Sequence, residues 1–170
     1  MREFIYLDNN ATTKIDPRVL EEMMPFLTQQ YGNSSSSHDF GALSNSAVKK
    51  ARTLISNLIG CSTDEIVFTS GATESINLAL KSILENPNIQ NPHIITSTAE
   101  HPAVLDTCKL LEKKGVKVTY LNVSKTGLID LNEFQSAFTQ NTVLVCIMAV
   151  NNETGVIQPI PELAGIKHTK

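Results

Sequence analysis

Three short polar stretches carry residue types that can do chemistry. The first, Ser70-Gly71-Ala72-Thr73-Glu74-Ser75, joins an apolar run at Ile66–Thr69 to a helical pattern running toward Leu84. Small residues at a helix start let backbone N–H groups approach an anion, the helix end adds partial positive charge, and the Thr73 and Ser75 hydroxyls can donate. Such a turn can cradle a phosphate. It is neither a Walker loop, since no Gly-Lys-Ser/Thr follows, nor a dinucleotide fingerprint. An ordinary capped strand-to-helix turn is the competing reading. The second stretch, Ala99-Glu100-His101-Pro102, follows the run His93–Ser97 and leads into a helical pattern opening at Pro102. A histidine there can stack on a flat ligand or move protons, its ordinary pKa being about 6.5. Equally it can cap the helix or stand in solvent. The third, Asn151-Asn152-Glu153-Thr154-Gly155, ends the most hydrophobic run. Two adjacent amides can orient a polar ligand, or they can form an Asx turn in which Gly155 supplies positive φ.

The elements that must position these stretches follow from periodicity. Residues 1–14 read as extended, and Asp16-Pro17 supplies an N-cap and a first-turn proline for a helix to about Gln30. Tyr31 to His38, with the serines Ser34 to Ser37, reads as loop. From about Phe40 to Ile59 the apolar positions Leu43, Ala47, Ala51, Leu54, Ile55 and Leu58 recur at helical spacing, and Gly60 is a C-terminal stop. The β-branched runs Ile66–Thr69, His93–Ser97, Val116–Leu121 and Thr142–Val150 read as strands. Between them lie helical patterns near 72–85, 102–114 and 131–138, the last opened by an Asp130…Glu133 capping box. Strand and helix alternating in this way predict an α/β fold with right-handed crossovers and a mostly parallel sheet. In such a sheet ligands bind beyond the carboxyl ends of the strands. All three polar loops are expected on that one edge, and their convergence favours a binding crevice over three independent turns. Pro161–Lys170 starts another helix, after which the pattern calls for a further strand, so an excerpt of a longer protein is expected.

Composition narrows the classes. The 170 residues are 41% hydrophobic and 18% charged, which suits a folded domain with a sizeable core. A net charge of −3 without any basic block speaks against nucleic acid, which needs clustered Lys and Arg. No apolar run approaches the roughly 20 residues of a membrane span, and MREFIYLDNN has no apolar signal core, so no membrane partner and a cytoplasmic location are expected. Cys61, Cys108 and Cys146 are odd in number and widely spaced, which indicates neither a disulfide framework nor a metal site. Cys146 reads as an inert core residue, Cys108 as mid-helix and Cys61 as partly exposed at a join. His38 after the serine run lacks the elbow that a hydrolase triad needs.

Taken in order, the loops carry a family resemblance. The segments Tyr6-Leu7-Asp8-Asn9-Asn10-Ala11-Thr12-Thr13, Tyr31-Gly32-Asn33, Phe68 to Ser75, Glu100-His101-Pro102-Ala103-Val104 and Asn151 to Gly155 resemble the N-terminal part of a cysteine desulfurase of the NifS/IscS type. That is a class V aminotransferase of pyridoxal 5'-phosphate fold type I. The resemblance implies residues 1–14 as an N-terminal arm and 15–170 as the first part of the cofactor-binding large domain, with the rest of that domain and a C-terminal small domain absent. It implies that Ala72, through its backbone, and Thr73, through backbone and hydroxyl, hold the cofactor phosphate. It also implies that His101 stacks on the pyridine ring and moves protons, and that Asn152 contacts the phenolic oxygen and seats the substrate carboxylate. The family's usual Gly-Asn-Pro-Ser-Ser is here Gly32-Asn33-Ser34-Ser35-Ser36, which loses a rigid turn.

The activity implied is conversion of L-cysteine to L-alanine, with persulfide sulfur passed to an acceptor or scaffold protein for iron–sulfur cluster assembly, in a homodimer. The family's cofactor-binding Lys, the Asp beneath the ring nitrogen, the substrate-binding Arg and the nucleophilic Cys have no counterparts in this chain. The cofactor needs the first two to act as an electron sink, and sulfur abstraction needs a thiolate. The chain alone is therefore expected to be inactive and to bind the cofactor weakly and non-covalently. A selenocysteine lyase, or a silent truncated interaction module, are the alternatives.

Overall fold

The computed structural model describes residues 4–166. It separates into two compact units that divide between Phe68 and Thr69.

The first unit contains two helices, α1 (Pro17–Thr28) and α2 (Asp39–Ile59). Asp16 caps α1 as its type and the following proline require, accepting from the Arg18 N–H at 2.9 Å and from the Arg18 guanidinium at 2.7 Å. Its carboxyl is held below the usual range by those bonds. Residues 4–8 form no regular element, and a turn closes where Ala11 and Thr12 donate to the Asp8 carbonyl. α2 ends where expected, at Gly60 with φ 75°, a left-handed C-cap natural to glycine. His38 is the N-cap of α2, its Nδ1 accepting from the Gly41 N–H. The loop before it is held despite the lost proline: Asn33 Oδ1 accepts from Ser35 N–H, and Asn45 donates to the Ser34 carbonyl. Arg52 donates to the carbonyls of Thr63 and Ile66 and lies over the Phe68 ring.

Ile66–Thr69 is not a strand. A 3-10 turn at Thr63–Glu65 leads into it, and Ile66 is extended at φ −87°, ψ 126°, but no ladder forms among the described residues. In the second unit the strands β1 (His93–Ser97), β2 (Lys117–Leu121) and β3 (Thr142–Cys146) are parallel in the order β2-β1-β3, so both edges of β1 are taken.

The second unit follows the predicted alternation: α3 (Ala72–Lys81), β1, α4 (Pro102–Glu112), β2, α5 (Leu131–Ser136), β3 and α6 (Ile160–Gly165). Residues beyond 166 in the predicted last helix lie outside the described residues. β3 stops at Cys146, short of the predicted Val150, whose only pairing is an antiparallel bridge to Ile157. Only half of the capping box at α5 forms. Asp130 accepts from the N–H groups of Asn132 and Glu133, while the Glu133 carboxylate lies 3.5 Å from the Asn122 N–H.

Adjacent residues of β1 face opposite layers, as period-2 geometry requires. Ile94 packs among Leu80, Val104, Cys108 and Leu111 under α3 and α4, whereas Ile95 packs with Leu121, Ile129, Phe134 and Leu163 under α5 and α6. All five residues of β1 are buried. At its amino end the buried His93 ring bonds through Nδ1 to Thr142 Oγ1 at 2.8 Å and through Nε2 to Thr119 Oγ1 at 2.9 Å, joining all three strands. No described helix is long and apolar enough to cross a membrane.

Candidate functional site

The start of α3 is the feature that departs from a routine turn. Its N-cap position is Gly71, extended at φ 163°, with no side-chain cap, so the first-turn N–H groups are left open. Side chains that could have capped it are used otherwise. Glu74 folds back to accept from the Ser70 N–H at 2.7 Å and the Ser70 hydroxyl at 2.6 Å, which holds its carboxyl below the usual range. Ser75 Oγ lies 2.7 Å from Thr69 Oγ1. Ala72 and Thr73 are exposed. Of the two readings open at this turn, ordinary capping is therefore not the one the structure takes.

At the other two loops the structural reading holds and leaves room for function. His101 is the N-cap of α4, its Nδ1 accepting from the Ala103 N–H at 3.1 Å. That bond fixes the tautomer: in the neutral ring the proton sits on Nε2, the nitrogen left for a ligand. Asn151 makes the Asx turn, its Oδ1 accepting from the N–H groups of Glu153 and Thr154 at 2.9 Å, with Gly155 at φ 73°. Its Nδ2 donates to the Ala99 carbonyl at 3.0 Å, tying this loop to the one that carries His101. Asn152 stands exposed at the next position.

Two of the three loops converge, and they do so by helix packing rather than through the predicted strand. In the second turn of each helix, the Thr107 hydroxyl of α4 lies 3.3 Å from Asn77 Oδ1 of α3 and 2.7 Å from the Ala103 carbonyl. Thr73 and His101 consequently line one groove of about 480 Å³, with Asn77, Ala103, Asp106 and Thr107 among its walls. Its one carboxylate, Asp106, is paired with Lys109 at 3.1 Å. Asn152 does not line that groove, and reaches the site only through the loop that Asn151 fastens to Ala99.

Glu100 escaped the sequence reading as a residue with a task of its own. It is 6% exposed, and its Oε1 accepts from Ser97 Oγ at 3.0 Å and from the Met148 N–H at 2.8 Å. Burial pushes its carboxyl above the usual range, against the pull of those two bonds. The signal was its position three residues past a strand and just before a helix that His101 already caps. The cysteines offer no nucleophile in the second unit. Burial pushes the Cys108 thiol up to about 11 and raises Cys146 as well.

The profile of the family described as Aminotransferase class-V matches residues 5–170. The chain belongs to the class-V aminotransferase family. Within it, the chain is 50% identical over 167 residues to the cysteine desulfurase IscS of Rickettsia massiliae (strain Mtu5), covering 98% of this chain and 41% of that protein. To the IscS of Rickettsia bellii (strain OSU 85-389) it is 52% identical over the same length. Among solved structures, a NifS-like protein superposes with a TM-score of 0.90 at 46% identity, covering 95% of this chain and 44% of that one. A structure described as SspA in complex with cysteine superposes at 0.87 with 39% identity, covering 95% of this chain and 46% of that one. This class-V chain thus spans about two fifths of the length of the curated relatives it matches. Its α/β fold with a parallel sheet is of pyridoxal-phosphate fold type I.

Proposed function

We propose that this chain is the phosphate- and ring-binding part of a pyridoxal-phosphate-dependent cysteine desulfurase. The whole protein would convert L-cysteine to L-alanine and pass sulfur as a persulfide to an acceptor or scaffold protein for iron–sulfur cluster assembly. A cytoplasmic homodimer is part of the same reading. The observation that carries it is the uncapped start of α3 opening on the groove that also holds His101. The relatives named cysteine desulfurase and the neighbour holding cysteine support the substrate.

The donor set fits the cofactor. Open N–H groups at Ala72 and Thr73, with the Thr73 hydroxyl, would hold a phosphate at the positive end of α3. His101 would face the pyridine ring, and because Nδ1 is committed to the Ala103 N–H, it can hold or move a proton only at Nε2. Asn152 would bind the cofactor's phenolic oxygen and the substrate carboxylate, on a loop whose turn Asn151 builds. When bound, pyridoxal phosphate supplies the electron sink for bond changes at the substrate's α-carbon.

Titration of the purified chain with pyridoxal 5'-phosphate, followed by absorbance and competed with inorganic phosphate, tests this. Weak, reversible, phosphate-competed binding is expected. Binding indifferent to phosphate, or a stoichiometric covalent adduct after borohydride reduction, would contradict it.

A further inference from the structure

The structure assigns Glu100 as a positioning residue: through one carboxylate oxygen it straps the exit of β1 to the segment leaving β3, so that the loops bearing His101 and Asn152 are held as one unit. This deepens the reading above and rests on it for the ligand involved. Glu100 is the only acidic residue among the buried polar groups of the described chain. Its Oε1 accepts from Ser97, the last residue of β1, and from the Met148 N–H, two residues past the end of β3. The neighbouring residue in the chain is His101, whose ring is locked to α4 by the Ala103 N–H. A second tie runs parallel, from Asn151 Nδ2 to the Ala99 carbonyl. Ser97, Ala99, Glu100 and His101 on one side, and Met148 and Asn151 on the other, thus form a two-rung ladder across the loops.

That ladder stands where the sheet stops. Pairing of β1 with β3 shifts register between His93 and Ile94 and ends with Thr96 opposite Cys146, where the Thr96 hydroxyl donates to the Cys146 carbonyl. Beyond this point backbone pairing gives out and side chains take over. An unbonded N–H at the half-buried Met148 would be costly, and Glu100 removes that cost while fixing the spacing of the two loops. The hydrogen-bond partners of the carboxyl are Ser97 of β1 and the Met148 amide, and it takes part in neither ion pair of the described residues. The job is therefore acceptance of two hydrogen bonds, which a glutamine oxygen can also perform.

The test compares Glu100→Gln, Glu100→Ala and Ser97→Ala with the unmodified chain, using two probes. Inorganic phosphate needs only the start of α3, whereas pyridoxal 5'-phosphate needs the loops as well. Glu100→Ala is expected to weaken pyridoxal phosphate about tenfold with phosphate affinity unchanged, and Glu100→Gln to restore it. Amide hydrogen exchange without ligand is expected to quicken together at residues 103–104 and 155–156 in Glu100→Ala, with β1 protection retained. Ser97→Ala, which deletes one of the two bonds, gives a smaller change in the same direction and stands in if Glu100→Ala does not fold. Equal binding and exchange in Glu100→Ala, or failure of Glu100→Gln to rescue, overturns the assignment. Failure of the unmodified chain to bind pyridoxal phosphate overturns the cofactor reading instead, and the exchange experiment then decides the strap alone.

Discussion

Replacing His101 separates two jobs that one imidazole performs. As the N-cap of α4 it accepts the Ala103 N–H at 3.1 Å, and as a groove wall opposite Thr73 it presents a flat ring. An N-cap side chain contributes about 1 kcal/mol, which for a chain of this size is roughly 2–4 °C in melting temperature. A stacked ring contributes about 0.5–1.5 kcal/mol, or roughly two- to tenfold in affinity. Three variants divide these terms: His101→Asn keeps a cap without a ring, His101→Phe keeps a ring without a cap, and His101→Ala keeps neither. Thermal melting is expected to rank Asn with the unmodified chain and to place Phe and Ala lower by the cap's amount. Pyridoxal 5'-phosphate titration is expected to rank them differently, with Phe above Asn and Ala. If Asn melts with Ala, the cap is not made. If Phe binds no better than Ala, the ring does not stack, and the role given to His101 falls.

Other outcomes follow from the same geometry. His93 is buried with both ring nitrogens bonded to threonine hydroxyls, and burial, aided by Lys117, lowers its pKa. The unfolded chain then takes up the proton first, near its ordinary value of about 6.5, so stability is full above that pH and declines as pH falls toward the folded value. Urea unfolding between pH 7.5 and 5 is expected to show this slope, and His93→Gln to flatten it. A thiol reagent at pH 8 is expected to modify Cys61 in the native chain and all three cysteines once unfolded, because Cys108 is held at about 11 and Cys146 is also raised. Gly41→Ala places a Cβ 2.5 Å from the Ser36 carbonyl oxygen and is expected to cost about 1–3 kcal/mol by urea unfolding. Gly71→Ala meets nothing within 4 Å and is expected to leave stability unchanged.

Helix ends were legible because their signals are local: Asp16-Pro17, Gly60 and Pro102 act through their own backbone. Ile66–Thr69 was misread because a strand exists only with a neighbour, and β-branched residues announce an extended backbone rather than a partner. At the loops that follow β1 and β3 the two readings do not exclude one another. Asn151 builds the turn and His101 caps the helix, yet Asn152 is exposed and the cap uses only Nδ1 of His101. Of the three polar loops only the one at the start of α3 forgoes a side-chain cap, and no sequence rule separates Ser70 as a cap from Ser70 as a partner of Glu74. Glu100 was invisible for the opposite reason. Its partners, Ser97 and Met148, are fixed by the meeting of β1 and β3, which only the tertiary fold defines.

The strand order has a consequence during synthesis. β1 leaves the ribosome before either neighbour, yet it is the middle strand and is buried on both faces once folded. About two dozen residues separate its end at Ser97 from the end of β2 at Leu121, and about fifty separate it from the end of β3 at Cys146. At translation rates of roughly 5–20 residues per second, β1 waits about 1–5 s for its first partner and about twice as long for its second. For that interval an apolar strand with two open edges depends on α3, already made, to cover Ile94 from one side, while Ile95 stays bare until α5 emerges.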